Sequence, residues 1–102
     1  MEKLSVVIIS FNEENNIGRC IDSVKDVADE IVVLDSFSTD QTVRIATEKG
    51  AIVKQQSFKG YIETKNDALA LASSYYVLSL DADETLDQTL RDSILKVKEN
   101  FT

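Results

Sequence analysis

Four short apolar runs, separated by segments of helical period, organise this chain. The first run, residues 4–9, is β-branched and continuously apolar, which is typical of a strand buried on both faces. The other three runs are residues 31–34, 51–53 and 75–80. The pattern therefore predicts four buried strands.

Each run is followed by a segment in which apolar residues recur at helical spacing. Helices are predicted over residues 13–25, 43–49, 61–73 and 85–101, with Gly50 ending the second. The expected inward positions of the first helix are Ile17, Cys20, Ile21 and Val24. Those of the third are Ile62, Leu69 and Ala72, and those of the fourth are Leu86, Leu90, Ile94 and Val97.

The alternating order βαβαβαβα predicts the fold class. It specifies an α/β fold with an open, mostly parallel, Rossmann-like sheet and helices on both faces. No linker, repeat or low-complexity segment divides the chain, so residues 1–102 are expected to form a single domain. Ligands of such sheets bind at the carboxyl ends of the strands.

The amino-acid composition limits the functions and the catalytic groups that this chain can have. The net charge of −7 argues against a nucleic-acid surface, and the absence of histidine leaves carboxylates, lysines and hydroxyls for acid–base or metal chemistry. Cys20 is the single cysteine, which fits a reducing compartment. The first apolar run is too short for a signal peptide or a membrane span, so a cytoplasmic location is expected.

The segments after the first, second and fourth strands are rich in acids and amides. Helix capping accounts for many of these residues, but it does not explain why an acid comes directly after a buried strand at both Asp35 and Asp81. The pair Asp81 and Asp83 suits a hard divalent cation that would bridge to a diphosphate. No glycine-rich phosphate loop is present.

Three stretches carry a family resemblance: LSVVIISFNEENNIGRCIDSV, DEIVVLDSFSTDQTVRIA and GAIVKQQSFKGYIETKNDALALASSYYVLSLDADE. In order and spacing they resemble the amino-terminal, nucleotide-binding part of family 2 glycosyltransferases, which have the GT-A fold. The short motifs SFNEE, DSFSTD and LDADE are similar to those of bacterial lipopolysaccharide-core glucosyltransferases. The resemblance covers nearly the whole chain.

The resemblance implies a site for a nucleoside-diphosphate sugar, in the first place a UDP-sugar. The nucleotide-binding residues that it implies are Ser10, Phe11, Asn12, Glu13, Asp35, Lys65, Asn66 and Asp81. Phe11 would lie against uracil, Asp35 would bind the base or ribose, and Lys65 would lie near the phosphates with Asn66. Asp83 would ligate Mn²⁺ or Mg²⁺ directly, and Asp81 would contact the ribose or a water bound to the metal.

For the complete enzyme the resemblance implies inverting transfer of the sugar to a saccharide or lipid-linked saccharide, in cell-surface polysaccharide or lipopolysaccharide synthesis. The enzyme is then expected in the cytoplasm, peripheral to the inner face of the membrane. The family's catalytic base lies beyond the DxD motif, and no acid here matches it. We therefore expect a donor-binding portion that is inactive alone, with an exposed sheet edge that favours a homo-oligomer.

Of three alternatives, the sequence argues against a receiver-like module, and the other two remain. Residues 81–85 also fit DxDxT, the nucleophile loop of haloacid-dehalogenase-type phosphatases, although that loop normally follows the first strand. A receiver-like signalling module would need an acid after the third strand, where Val53 and Lys54 stand. The third alternative is a module that binds a nucleotide and catalyses nothing.

Overall fold

Residues 3–99 are described by the structure, which is a computed structural model. Strands and helices alternate throughout this range. The elements are β1 (Leu4–Ser10), α1 (Ile17–Val24), β2 (Glu30–Asp35), α2 (Thr42–Glu48), β3 (Ile52–Gln55), α3 (Tyr61–Ala70), β4 (Tyr76–Asp81) and α4 (Gln88–Glu99). The predicted βαβαβαβα order is confirmed.

The four strands form one parallel sheet in the order β3-β2-β1-β4. β1 is therefore flanked on both sides, with Val6 opposite Ile31 of β2 and Leu78 of β4. This central place explains why β1 is continuously apolar. The predicted Rossmann-like α/β class is confirmed.

Helices cover both faces of the sheet, as predicted. Successive side chains of a strand point to opposite faces, so Val6 and Ile8 of β1 join one core cluster and Val7 joins another. The larger cluster lies under α1 and α2 and includes Ile94 of α4. The smaller one packs Val7, Val32 and Leu34 against Ala68 of α3.

The predicted inward face of the third helix was wrong at two positions. Ile62 is 76% exposed and Leu69 is 38% exposed, whereas Thr64 and Ala68 are buried. α3 thus meets the sheet through small side chains, which permit a close approach of the helix backbone. The large apolar side chains are displaced to its outer surface, while Ala72 lies partly buried against the smaller cluster, as expected.

The fourth helix also differs from its prediction. It begins at Gln88 rather than at residue 85, and Leu90 and Val97 are exposed. Leu86 and Ile94 do pack against the core, and Phe101 lies outside the described residues. An open apolar groove of about 420 Å³ lies between α4 and β4 as a result.

The carboxyl-terminal turn of α4 is held by a buried lysine. Lys98 Nζ donates to the backbone oxygen of Val27 over 2.8 Å and to Asp29 Oδ2 over 2.7 Å. Asp29 also accepts from the backbone N–H of Leu4. These hydrogen bonds, the lysine's first, hold the pKa of Asp29 below its usual value.

The sheet has two open edges within residues 3–99. β3 is short and its edge carries the polar Lys54 and Gln55, whereas β4 exposes Val77 and follows the exposed Tyr75. The apolar edge is therefore β4. None of the helices in the described range is long and apolar enough to cross a membrane.

Candidate functional site

Three strand ends meet at the carboxyl edge of the sheet. Ser10 at the end of β1 lies opposite Asp35 of β2, and its neighbour Ile9 lies opposite Asp81 of β4. Both acids that directly follow buried apolar runs therefore flank the end of the central strand. The loops that leave these strands form the candidate site.

Asp35 lies at the centre of a buried hydrogen-bond network. Its Oδ1 accepts from the hydroxyls of Ser10 at 2.8 Å and Ser38 at 2.5 Å. Its Oδ2 accepts from the backbone N–H of Ser38 at 2.8 Å and from Gln55 Nε2 at 3.3 Å. The residue is 0% exposed, so its carboxylate joins three strand ends and has no surface open to a ligand.

Asn12 links the loop after β1 to the loop after β2. Its backbone N–H donates to Ser38 Oγ at 2.8 Å, and its Oδ1 accepts from the backbone N–H of Thr39 at 2.8 Å. Asn12 has φ 49°, a left-handed conformation that asparagine adopts more readily than most residues. Phe37 has φ 57°, and its ring is exposed.

The start of α1 is held by the start of α2. The backbone N–H of Glu13 donates to Thr42 Oγ1 at 2.8 Å, and the Thr42 hydroxyl donates in turn to Asp40 Oδ1. The backbone oxygen of Glu13 accepts from the N–H groups of Asn16 and Ile17. α1 therefore begins at Ile17, four residues later than predicted, because residues 13–16 form turns instead.

The acid-rich loop after β4 is a tight turn closed by one of its own acids. Glu84 Oε1 accepts from the backbone N–H of Asp81 at 2.7 Å, and the N–H of Glu84 donates to the backbone oxygen of Asp81 at 2.9 Å. The N–H of Ala82 bonds the backbone oxygen of Ile9 at 3.1 Å. Glu84 is thus committed to the turn, and Asp83 is left exposed at its tip.

The two oxygens of Asp81 have different surroundings. Oδ2 accepts a hydrogen bond of 2.5 Å from the hydroxyl of Tyr61, the first residue of α3. Oδ1 is buried and has no hydrogen-bond partner among the described residues. A buried carboxylate oxygen without a donor is costly, and a cation would relieve that cost.

Tyr61 connects the acids to a lysine. The bond to Asp81, together with partial burial and the charges of Asp81, Glu84 and Asp83, raises the pKa of Tyr61 to about 12. The ammonium of Lys65, one turn further along α3, lies 5.3 Å from the centre of the Tyr61 ring. The phenol therefore stays protonated and remains a hydrogen-bond donor at neutral pH.

Cys20 lies beneath the acid-rich turn. Its thiol is buried on α1, with Sγ 3.7 Å from the backbone oxygen of Asp81. Burial first, and then the charges of Glu84, Asp83, Asp81 and Glu13, raise the pKa of Cys20 to about 12. The side chain is an unreactive core residue, as its helical position predicts.

An open cleft of about 200 Å³ lies above these strand ends. It is lined by Ile9, Ser10, Phe11, Glu13, Ser36, Phe58, Tyr61, Thr64, Asp81, Ala82 and Asp83. Three of these residues, Phe11, Phe58 and Tyr61, present aromatic rings that are at least half exposed. Exposed aromatic rings beside carboxylates suit a planar base at one end of a ligand and a cation-bound phosphate at the other.

The family model described as Glycosyl transferase family 2 matches residues 5–100. The chain belongs to glycosyl transferase family 2. Its Rossmann-like α/β sheet is that of the amino-terminal portion of a GT-A domain, as the sequence resemblance implied. The family assignment also removes the phosphatase and receiver alternatives.

Among curated family relatives, a protein of Rickettsia felis (strain ATCC VR-1525 / URRWXCal2) named "Uncharacterized glycosyltransferase" is 46% identical over 94 residues. The match covers 92% of this chain and 33% of the relative. Lipopolysaccharide core biosynthesis glycosyltransferase LpsC of Rhizobium meliloti (strain 1021) is 38% identical over 94 residues, which cover 87% of this chain and 34% of LpsC. The chain thus spans about a third of the length of these two curated relatives.

Solved structures of glucosyl-3-phosphoglycerate synthase from Mycobacterium tuberculosis share the fold of this family 2 chain. The complex with Mn²⁺, UDP and glucosyl-3-phosphoglycerate has a TM-score of 0.70 and 32% sequence identity. It matches 82% of this chain and 36% of the synthase. The complex with Mn²⁺ and UDP-glucose has a TM-score of 0.70 and 34% identity, over 82% of this chain and 34% of the synthase.

The fold brings most of the predicted site residues of this family 2 chain together. The predicted residues that line the cleft are Ser10, Phe11, Glu13, Asp81 and Asp83. Asn12 holds the neighbouring loops, and Lys65 lies half-buried over Tyr61. Asn66 is exposed on α3 and is not part of the cleft lining.

Asp35 is enclosed in this structure, and its carboxylate is linked to the cleft by the hydroxyls of Ser10 and Ser38. The direct contact with the base or ribose that the resemblance implied stays a prediction. A carboxylate that accepts four hydrogen bonds inside the protein is already satisfied. Its role in this structure is to fix the loops on which Phe11 and Ser36 stand.

The predicted site residues leave out six residues that line the cleft: Ile9, Ser36, Phe58, Tyr61, Thr64 and Ala82. Phe58 lies in residues 55–59, which the sequence pattern indicates to be a polar, irregular connection, and Tyr61 begins α3 directly after Gly60. Two aromatic residues beside a glycine in such a connection are the signal that could have identified it. Gly60 has φ 95°, a conformation that favours glycine and that turns the chain into α3.

Among residues 3–99 no group of three or more acidic, cysteine or histidine side chains converges on one point that could hold a metal ion. The candidate metal ligands are therefore only two, Asp81 and Asp83. Magnesium-like ions are commonly held by one or two carboxylates, with phosphates and water completing the shell. The donor set fits an ion that arrives with a phosphorylated ligand.

Proposed function

We propose that this chain is the donor-binding portion of an inverting glycosyltransferase, and that it binds a UDP-sugar together with Mn²⁺ or Mg²⁺. The observation that carries the proposal is the pairing, in one cleft, of exposed aromatic rings with the carboxylates of Asp81 and Asp83. The synthase complexes with UDP, Mn²⁺ and UDP-glucose support it, because those structures share this fold.

In this proposal the base stacks on Phe11 at the end of β1. The half-exposed ring stands on a loop that is held by Asn12 and by the buried Asp35 network. Stacking on an aromatic ring contributes about 1–3 kcal/mol per base in nucleic-acid binding proteins. A ring on a loop that is already ordered loses little entropy when the base binds.

The cation is assigned to the turn after β4. The carboxylates of Asp81 and Asp83 would hold it, and Lys65 would face the phosphates from α3. When bound, a divalent ion supplies stabilisation of the charge that builds on the leaving diphosphate. The chain's own residues bind and orient the donor and offer no matched base.

We further propose that the acceptor site and the base are supplied by sequence corresponding to the rest of the longer relatives. The 102 residues alone should then bind UDP but transfer no sugar and hydrolyse no sugar nucleotide. The acceptor would be a saccharide or lipid-linked saccharide of the cell surface, and the enzyme would work in the cytoplasm at the inner membrane face. The relationship to LpsC supports this acceptor class.

We also propose self-association of the chain through the exposed edge of β4. Val77 and the neighbouring Tyr75 are exposed beside the apolar groove under α4. Sedimentation of wild type and Val77→Lys tests this, because a charge on an edge strand opposes pairing. A wild type that sediments as a monomer at all concentrations would overturn it.

Calorimetric titration of UDP, with and without Mn²⁺, tests the donor site. Wild type should bind UDP more tightly with Mn²⁺, and Asp83→Asn should lose at least about a hundredfold of that affinity, since even residues that only support metal ligands commonly contribute ten- to hundredfold. Asp26→Asn is the matched control, because Asp26 is an exposed acid near the opposite end of the sheet.

The outcomes separate the parts of the proposal. Binding that does not depend on Mn²⁺ would retain the uridine site and remove Asp83 as a metal ligand. A folded wild type that binds no UDP under either condition would overturn the donor site.

A further inference from the structure

The hydroxyl of Tyr61 occupies one oxygen of the Asp81 carboxylate. This hydroxyl donates to Oδ2 over 2.5 Å, while Oδ1 is buried without a partner in the described range. As the side chains stand, neither oxygen is open to a ligand that enters the cleft. Because Oδ1 is buried, a cation that enters from the cleft would bind Oδ2, so the phenol and the cation compete for that oxygen.

The position of Tyr61 allows this contact to break without disturbing the core. Its ring is half exposed at the first turn of α3, directly after Gly60. The helix is anchored by its buried residues Thr64 and Ala68. Rotation about the side-chain bonds of Tyr61 therefore frees Asp81 while α3 stays in place.

Three other donors near Asp81 are directed elsewhere. The N–H of Asp81 itself bonds Glu84, and the N–H of Ala82 bonds the backbone oxygen of Ile9. The Lys65 ammonium lies over the Tyr61 ring rather than beside the carboxylate. Among the described residues, the phenol is thus the one group that donates to the Asp81 carboxylate.

We propose that Tyr61 is a gate residue of the donor site, which caps Asp81 in the free protein and releases it when a divalent cation binds with a nucleoside diphosphate. This inference rests on the proposed function, because the cation belongs to that donor site. It implies that the Tyr61 hydroxyl lowers the affinity for the metal nucleotide. Hydrogen bonds to charged acceptors are stronger than those between neutral groups, so the effect is measurable.

Tyr61→Phe tests the gate, because it removes the hydroxyl and keeps the ring in the cleft. We expect this variant to bind UDP with Mn²⁺ about fivefold to tenfold more tightly than wild type in calorimetric titration. Tyr75→Phe is the matched control, since it removes an exposed phenol hydroxyl near the opposite end of β4. It should bind like wild type.

A spectroscopic readout follows the hydrogen bond itself. The chain has three tyrosines, and labelling their ring Cζ atoms with carbon-13 gives signals whose Tyr61 member is identified by its absence in Tyr61→Phe. On addition of diamagnetic Mg²⁺ and UDP, the Tyr61 signal should shift as the hydroxyl leaves Asp81. Circular dichroism of each variant establishes that it is folded.

The two proposals fail in different ways. If wild type binds UDP with Mn²⁺ and Tyr61→Phe binds equally or less tightly, the gate is overturned and the donor site stands. A Tyr61 signal that does not move while UDP binds also overturns the gate alone. If Tyr61→Phe binds where wild type does not, the gate and the site are both supported, and if neither folded protein binds, both are overturned.

Discussion

The loops after β1 and β2 differ from the turn after β4, although all three lie at the same edge of the sheet. In the first pair, Asp35 is fully buried and each of its oxygens has two donors. In the turn after β4, Asp81 has one donor, from an exposed tyrosine, and Asp83 is exposed. The hydrogen bonds of Asp35 are therefore complete in the free protein, whereas the carboxylates of Asp81 and Asp83 still lack partners.

This difference separates two uses of an acid at a strand end. Asp35 organises backbone and hydroxyl groups, so its charge is a structural element. The acids of residues 81–84 stand close together on one turn, where they repel one another unless a cation intervenes. We therefore expect the stability of the fold to depend on Asp35 and ligand binding to depend on the acids of residues 81–84.

The largest expected effect is on stability. Asp35→Ala leaves the buried donors of Ser10 and Ser38 unsatisfied and should lower the free energy of unfolding by about 3 kcal/mol. Asp83→Ala should change it by less than about 0.5 kcal/mol, because an exposed side chain is removed. Urea denaturation measures both changes. Equal losses of stability in the two variants would contradict the view that Asp35 is structural and Asp83 is not.

The stabilisation of the fold by bound Mn²⁺ and UDP should be the second-largest effect. Mn²⁺ and UDP at about a hundredfold excess over the dissociation constant should stabilise wild type by about 2.7 kcal/mol. Asp83→Asn at the same concentrations should gain far less, since the cation loses a ligand. Thermal unfolding with and without ligand measures the difference, and full stabilisation of the variant would remove Asp83 from the site.

Ser38→Ala should have an intermediate effect. Its hydroxyl donates to Asp35 and accepts from the backbone N–H of Asn12, so its removal should cost about 1–2 kcal/mol. The double variant with Asp35→Ala should lose less than the sum, because the two residues share one network. Strict additivity in urea denaturation would show that the network does not act as a unit.

The smallest effect concerns pH and the opposite end of the sheet. The pKa of Asp29 is lowered by Lys98 and by the N–H of Leu4, so its stabilising contribution is present above the unfolded pKa of about 3.8. It is lost as the pH falls through the lower folded pKa. Because the Asp29 side chain is 38% exposed, we expect under about 1 kcal/mol.

Denaturation of wild type and Asp29→Asn at about pH 6 and about pH 2.5 measures this contribution. The variant should be less stable at the higher pH, and the two proteins should converge at the lower one. A constant difference between them would mean that the ionisation of Asp29 does not contribute.

Most of the fold could be predicted from the sequence, because strand and helix periods are local properties. The predictions were wrong where tertiary contacts outweigh the periodic pattern of apolar residues. On α3 the sheet approaches closely enough to select Thr64 and Ala68, and Ile62 is turned outward. At the start of α1, the hydrogen bond that the Glu13 N–H donates to Thr42 of α2 holds Glu13 outside the helix.

The candidate site was only partly predictable. The position of Asp81 and Asp83 after a buried strand indicated a polar cluster at the sheet edge, and the fold places both in the cleft. The hydrogen bond from Tyr61 to Asp81 could not be inferred, because a tyrosine at the start of a helix has many possible partners. The sequence also could not show that Asp35 is enclosed by hydroxyl and amide donors, because these donors come from other parts of the chain.

By itself, the sequence determined the alternation of strands and helices, the parallel sheet and the edge at which acids collect, since these depend on residue type and on local period. Only the tertiary structure decided which carboxylate oxygens are satisfied and which are free. The reason is that the partners are distant along the chain: Ser10 and Asp35 are 25 residues apart, and Tyr61 and Asp81 are 20 apart. Such partners meet only after the sheet has set its strand order and register.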